Sequence, residues 1–181
     1  SGTDDKRYMF FTDGQTQYLD VIDNQSNGYF VEKWTNLTDA GATASDTADG
    51  GVNTDYPLFR LADVYLMMAE AVVRGGTGSD KGTVLGYINK LQERAYGDDS
   101  HNKAEADLTQ DFILKERARE LYWEGYRRTD LIRFGMFTTD KYLWQWKGGE
   151  KGGVAVNSKY NIYPIPATEL TANPNLYNEN Y

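Results

Sequence analysis

The 181-residue chain has no cysteine and a single histidine, His101. Without thiols there is no disulfide framework, no thiol nucleophile and no thiolate metal site, and the redox compartment is left undetermined. One imidazole excludes a multi-histidine metal centre and gives a Ser–His or Cys–His pair no spare, so His101 reads as a surface residue. No run of eighteen apolar residues occurs, and the N-terminus has no basic stretch followed by an apolar one. The chain as given therefore holds neither a spanning helix nor a signal peptide. Net charge is -8, with a sequence pI near 4.7, which removes the basic field needed to hold nucleic acid or an anionic membrane surface. The glycine clusters Gly75-Gly76-Thr77-Gly78 and Gly148-Gly149 lack the Lys-Ser/Thr of a phosphate loop and the strand before it, so they are turns.

What is present is mainly α. Residues 1–54 are polar and punctuated by Gly, Asn, Asp and Thr, a loop-rich segment with short β pieces at Tyr8–Thr12 and Gly28–Trp34. Residues 55–135 carry three helical patterns. From Pro57 to Arg74, Leu58, Leu61, Ala62, Tyr65, Leu66, Ala69, Val72 and Val73 form a broad apolar face, with Pro57 suited to the first turn and Gly75-Gly76 to the stop. Lys81–Tyr96 places Val84, Ile88, Leu91 and Ala95 at the same spacing and ends before Gly97. The short connection predicts an antiparallel, tetratricopeptide-like pair, although one pair is not a repeat array. Gln110–Phe134 predicts one long third helix, capped by Thr109 and stapled by Leu108 and Ile113. Residues 136–181 hold an aromatic, glycine-rich loop, extended chain, a helical turn near Ala167–Leu170 and an irregular tail. No second domain boundary is apparent, so residues 1–181 read as one domain.

The third pattern concentrates charge: Glu116, Arg117, Arg119, Glu120, Glu124, Arg127, Arg128, Asp130 and Arg133. Carboxylates four residues apart invite a glycosidase reading, which needs two groups with separated pKa values. Each also has a cation within a turn: Arg119 or Lys115 for Glu116, Arg117 for Glu120, Arg127 or Arg128 for Glu124. Charges so matched point to a structural ion-pair network, and no catalytic residue is assigned. The ligand-binding candidates are Tyr142, Trp144 and Trp146, because sugar C–H faces dock on aromatic planes and a Trp-x-Trp loop bounded by glycine presents two; inward packing of one ring is the competing outcome. Asp46, Asp49, Asn53 and Asp55 offer oxygen ligands, but their spacing does not fit a calcium loop, so no metal or cofactor is assigned.

Four blocks occur together: RLADVYLMMAEA at 60–71, INKLQERA at 88–95, KERARELYWEGYRRTDLIRFG at 115–135 and YPIPATELTANPNL at 163–176, with FFTDGQT at 10–16 upstream of them. In this order they resemble the C-terminal part of the SusD/RagB family, surface glycan-binding lipoproteins. The resemblance implies a mainly helical fold of tetratricopeptide-like pairs, no catalysis, an oligosaccharide or other nutrient ligand, and a TonB-dependent transporter of the SusC type as partner. It implies the cell outer membrane, through a lipid anchor and signal peptide that this sequence does not contain. On that reading the chain is the C-terminal portion of a SusD-like protein. The alternative is a helical scaffold that contacts the transporter or the rest of such a protein without touching sugar.

Overall fold

The computed structural model describes residues 4–38, 40–45 and 51–179. The chain divides into two compact units, Ser1–Arg127 and Arg128–Tyr181.

In the first unit, β1 (Phe10–Phe11) and β2 (Phe30–Val31) pair antiparallel, Phe10 opposite Val31. They fall inside the two predicted strand-like runs but are only two residues each, because the surrounding Gly, Asn and Asp favour turns. Three helices build the core: α1 (Leu61–Val73), α2 (Lys81–Tyr96) and α3 (Gln110–Leu121). The second runs over the predicted residues. Asp80 accepts from the Thr83 amide at 2.9 Å to open it, and Gly97, at φ +94°, closes it in the left-handed conformation. Thr109 accepts from the Phe112 amide at 3.1 Å and so caps α3 as expected.

Ala62, Leu66 and Ala69 of α1, Val84, Ile88 and Leu91 of α2, and Ile113 and Leu121 of α3 meet in one buried cluster, joined by Leu108. Leu108 and Ile113 are thus both core residues, as a staple across the start of α3 requires. Tyr65 and Tyr87 stack at 4.5 Å between the centroids, tying α1 to α2. The opposite side of α1 is open: Leu61, Val64 and Met67 are exposed.

Two helix boundaries depart from the sequence reading. The first helix begins at Leu61, not near Pro57, because Arg60 is extended at φ −146° and its guanidinium is drawn to Glu120 and Glu124. The predicted long third helix is two: α3 ends at Leu121, and α4 (Arg127–Arg133) follows a turn. Tyr122 is extended, while Trp123 and Gly125 take φ +58° and +78°. The cause is competition for backbone carbonyls. Lys33 Nζ donates to the Glu120 and Tyr122 carbonyls at 3.0 and 2.9 Å, and Arg60 Nη2 donates to the Glu120 carbonyl at 2.6 Å. With those acceptors taken by side chains, the ladder has little to gain by continuing.

The second unit holds the end of α4, a loop through Lys147–Gly149, single 3₁₀ turns at Ser158–Asn161 and Pro174–Leu176, and α5 (Ala167–Ala172). The fold class is mainly α, with one two-stranded sheet among the described residues.

The two sides of α1 make a contrast that denaturant unfolding of the chain measures. Leu66→Ala should cost about 2–5 kcal/mol, because Leu66 is fully buried. Met67→Ala, one residue away and 46% exposed, should stay within about 0.5 kcal/mol. Equal losses at both would contradict the assignment of the buried face.

Candidate functional site

The charged stretch of α3 and the turn after it is not a surface. Glu116, Glu120 and Glu124 are 0%, 3% and 4% exposed. Glu116 accepts from Arg7 at 2.5 Å, from Gln92 at 2.7 Å and from Arg119 at 2.6 and 2.9 Å. Glu120 accepts from Arg60 at 2.6 Å, from Arg94 at 2.5 Å on both oxygens, and from Arg7 at 3.3 Å. Glu124 is held by both Arg60 Nε and Nη2, at 2.7 and 2.8 Å, and by Lys33. Asp5 completes the group with a two-point grip on Arg7 at 2.8 and 2.9 Å. Among the described residues no buried side-chain nitrogen or oxygen lacks a hydrogen-bond partner.

The pairings expected from helical spacing are replaced for two of the three glutamates. Arg119 does reach Glu116, three residues away. Lys115 instead pairs with Asp111 at 2.7 Å. Arg117, which spacing placed beside Glu120, is bonded to Asp63 at 2.7 Å. Arg127 donates to the Leu114 carbonyl at 3.0 Å. Asp130 and Arg133 pair with each other at 3.0 Å. The cations on Glu120 and Glu124 come from Arg7, Lys33, Arg60 and Arg94, none of which local periodicity could supply. The one signal available was that Arg60 stands at the start of an apolar helix where an uncharged residue would serve as well.

Electrostatically the cluster opposes acid catalysis. Burial works to raise the pKa of Glu120, but Arg60 and Arg94 together outweigh it and hold the carboxyl below its ordinary value. Glu124 is lowered in the same way, burial being outweighed by Arg60 and Lys33, and Asp5 is lowered because Arg7 overcomes its burial. A glycosidase acid must keep its proton near neutral pH, which requires a shift in the other direction. His101, expected at the surface, is half-buried, stacked on Tyr96 at 3.7 Å and 3.2 Å from Asp4. Of the calcium candidates, Asp46 and Asp49 lie outside the described residues. Among the described residues no three His, Cys, Asp or Glu side chains are placed to share a metal ion.

The aromatic loop belongs to the second unit. It is held by its own backbone: the Lys147 amide donates to the Trp144 carbonyl at 3.1 Å, and Val154 to Lys147 at 3.0 Å. Gly153, at φ +77°, comes so close to Trp144 that an added Cβ would lie 2.3 Å from the Trp144 carbonyl oxygen. Lys147 is buried beneath, its Nζ donating to the Thr139 and Tyr142 carbonyls at 2.8 Å each and lying 4.8 Å from the Trp144 ring. Burial pushes its pKa down, and Asp140 pulls it partly back.

Trp144 lines a cleft of about 700 Å³ together with Phe137, Tyr160, Tyr163, Arg128 and Lys147. Phe137 and Trp144 stack at 6.2 Å, and Tyr142 adjoins Trp144 at 6.1 Å. Trp146 adopts φ +65° to turn the chain and is not among the residues lining this cleft. The cleft thus brings together one of the three candidate aromatics with three rings that the sequence reading did not single out. Phe137, Tyr160 and Tyr163 were masked by their dispersal among turn residues, where no periodicity marks which side chains converge.

Glu120→Gln should destabilise the chain by about 3–5 kcal/mol, since it leaves the buried Arg7 and half-buried Arg60, along with the more exposed Arg94, short of charge. The depressed carboxyls Asp5, Glu120 and Glu124 contribute stability that is fully present above their unfolded values, near 4, and lost as pH falls through their folded ones. Thermal midpoints should therefore fall steeply below about pH 4, and the slope should be shallower in the variant. A midpoint independent of pH between 5 and 2.5 would contradict the cluster.

Comparison with known proteins adds to this geometry. The model of the SusD family matches residues 6–181. The starch-binding protein SusD of Bacteroides thetaiotaomicron is 44% identical over 163 residues, covering 90% of this chain and 28% of the relative. A SusD-like protein of Formosa agariphila is 30% identical over 166 residues, covering 86% and 29%. The crystal structure of a SusD superfamily protein from Bacteroides vulgatus superposes with a TM-score of 0.52 at 26% identity, over 74% of this chain and 29% of that one. The chain spans less than a third of the length of each. With a family match over nearly all its residues and a close relative by sequence, this chain belongs to the SusD family.

Proposed function

We propose that this chain is the C-terminal part of a non-catalytic, glycan-binding SusD-like protein, and that the cleft beside Trp144 is its sugar-contacting surface. The observation that carries the reading is the row of aromatic planes, Tyr163, Phe137 and Trp144, along one cleft of about 700 Å³, with Trp144 41% and Tyr163 75% exposed. Such planes suit the C–H faces of pyranose rings, and the volume suits an oligosaccharide segment. The name of the Bacteroides thetaiotaomicron relative supports glycan, and starch oligosaccharides are the first ligands to test. In this reading Tyr142 backs Trp144, and Trp146 shapes the loop without contributing a plane to the cleft.

The finer role follows the family. A SusD-like protein of the cell outer membrane would pass its glycan to a SusC-like TonB-dependent transporter, anchored by a lipid outside these residues, with 1–181 forming part of one larger domain. Among the described residues no helix is long and apolar enough to cross a membrane. A second reading has one observation in its favour: Leu61, Val64 and Met67 expose an apolar stripe on α1, next to Leu58 and Phe59, as a scaffold that packs against another part of a larger assembly would.

Titration of the chain with maltoheptaose, xylo-oligosaccharides and galacto-oligosaccharides, followed by tryptophan fluorescence, separates the two. At least one sugar should give a saturable change. Trp144→Ala should weaken it about tenfold, the value of one lost stacking partner, and Trp146→Ala should weaken it less. A flat response to every sugar would leave the scaffold reading in its place.

A further inference from the structure

Charge in the cleft is not matched as it is in the α3 cluster. In the first unit every buried carboxylate of the α3 cluster meets a cation. In the cleft, Arg128 donates one hydrogen bond, from Nη2 to the Tyr160 carbonyl at 2.6 Å. Rings also lie against it: the guanidinium carbon is 3.9 Å from the Tyr163 centroid and 5.1 Å from that of Phe137. No carboxylate pairs with Arg128 among the described residues. None lines the cleft, whose other polar members are Lys147, Asn157, Tyr160 and Tyr163. Although the chain carries a net charge of -8, residues 128–181 hold six basic and five acidic side chains.

A guanidinium has five N–H groups in a planar fork, and one of Arg128's is used. Ring contacts make no demand on the other N–H groups, which leaves them able to form a two-point bond with an oxyanion. Lys147 adds a second positive charge behind the Trp144 ring. A neutral sugar stacked on Trp144 leaves that charge uncompensated, whereas a sugar bearing an acid compensates it.

We propose that the Trp144 cleft selects glycans carrying an anionic substituent, a carboxylate or a sulfate ester, and that Arg128 is the residue that reads it. The proposal rests on the assignment of this cleft as the sugar-contacting surface. The unsubstituted glucan implied by the name of the starch-binding relative is the opposing case, so it belongs in the test.

Binding of the 181-residue chain is measured by calorimetry at low salt for two matched pairs: tetragalacturonate against its carboxyl-reduced form, and sulfated against unsulfated maltotetraose. In at least one pair the anionic member should bind tenfold or more tightly, and the pair that shows it identifies the acid. Raising salt should narrow the gap. Arg128→Gln should abolish the preference, Arg128→Lys should retain part of it, and Lys141→Gln, a charge outside the cleft, should leave it intact. Equal affinities within both pairs would overturn acid selectivity and leave the Trp144 assignment standing. A preference that survives Arg128→Gln, or that disappears in Lys141→Gln, would overturn the role of Arg128. No binding of any of the four would overturn both.

Discussion

The organisation of the first unit depends on three buried carboxylates having their charge met from elsewhere in the chain. Glu116, Glu120 and Glu124 sit where water is excluded, and an isolated charge there would cost several kcal/mol. Arg7 and Lys33 arrive from the loop-rich segment, Arg60 from the entry to α1, and Arg94 from α2. Each is far from its partner in sequence, so the carboxylates are satisfied only when all these elements are in place together. That makes the cluster a condition on the whole unit: it anchors polar loops that have little apolar surface of their own to bury.

The same bonds explain the backbone. Lys33 and Arg60 take the Glu120 and Tyr122 carbonyls as well as the Glu124 carboxylate, and α3 stops where they do. Trp123 is left in a left-handed conformation that a large aromatic rarely adopts. The helix break and the charge cluster are one arrangement seen at two levels, and removing the cations would release both.

Local and distant determinants of this fold differ in how far the sequence reveals them. The apolar spacing of α2, Thr109 as a cap and the Leu108–Ile113 pair are local, and they fold as their spacing implies. The mainly helical class and the family follow from blocks of sequence that keep their order. The split after Leu121 was not legible, because nothing in KERARELYWEGYRRTD says that a lysine some ninety residues earlier will compete for its carbonyls. The same holds at the cleft: Trp144 stood out as an aromatic in a glycine-bounded loop, but Arg128 looked like one more charge on a helix until Tyr160 and Tyr163 were placed beside it. Residues that act through distant partners carry no local signature, and both the cluster and the cleft are built from such residues.

Density of charge and likelihood of function therefore separate in this molecule. The α3 cluster meets its charge internally and holds Glu120 and Glu124 ionised, which suits a scaffold; the cleft keeps exposed rings and a guanidinium with no carboxylate partner among the described residues, which suits a ligand. Backbone and indole amide correlation spectra of the isotopically labelled chain, recorded while oligosaccharide is added, test that division directly. The account predicts that the Trp144 indole and the amides of residues 137–163 shift in a saturable way, while the Arg7, Arg60 and Arg94 side-chain signals stay fixed. Shifts centred on those arginines and Glu120, with Trp144 unmoved, would contradict it.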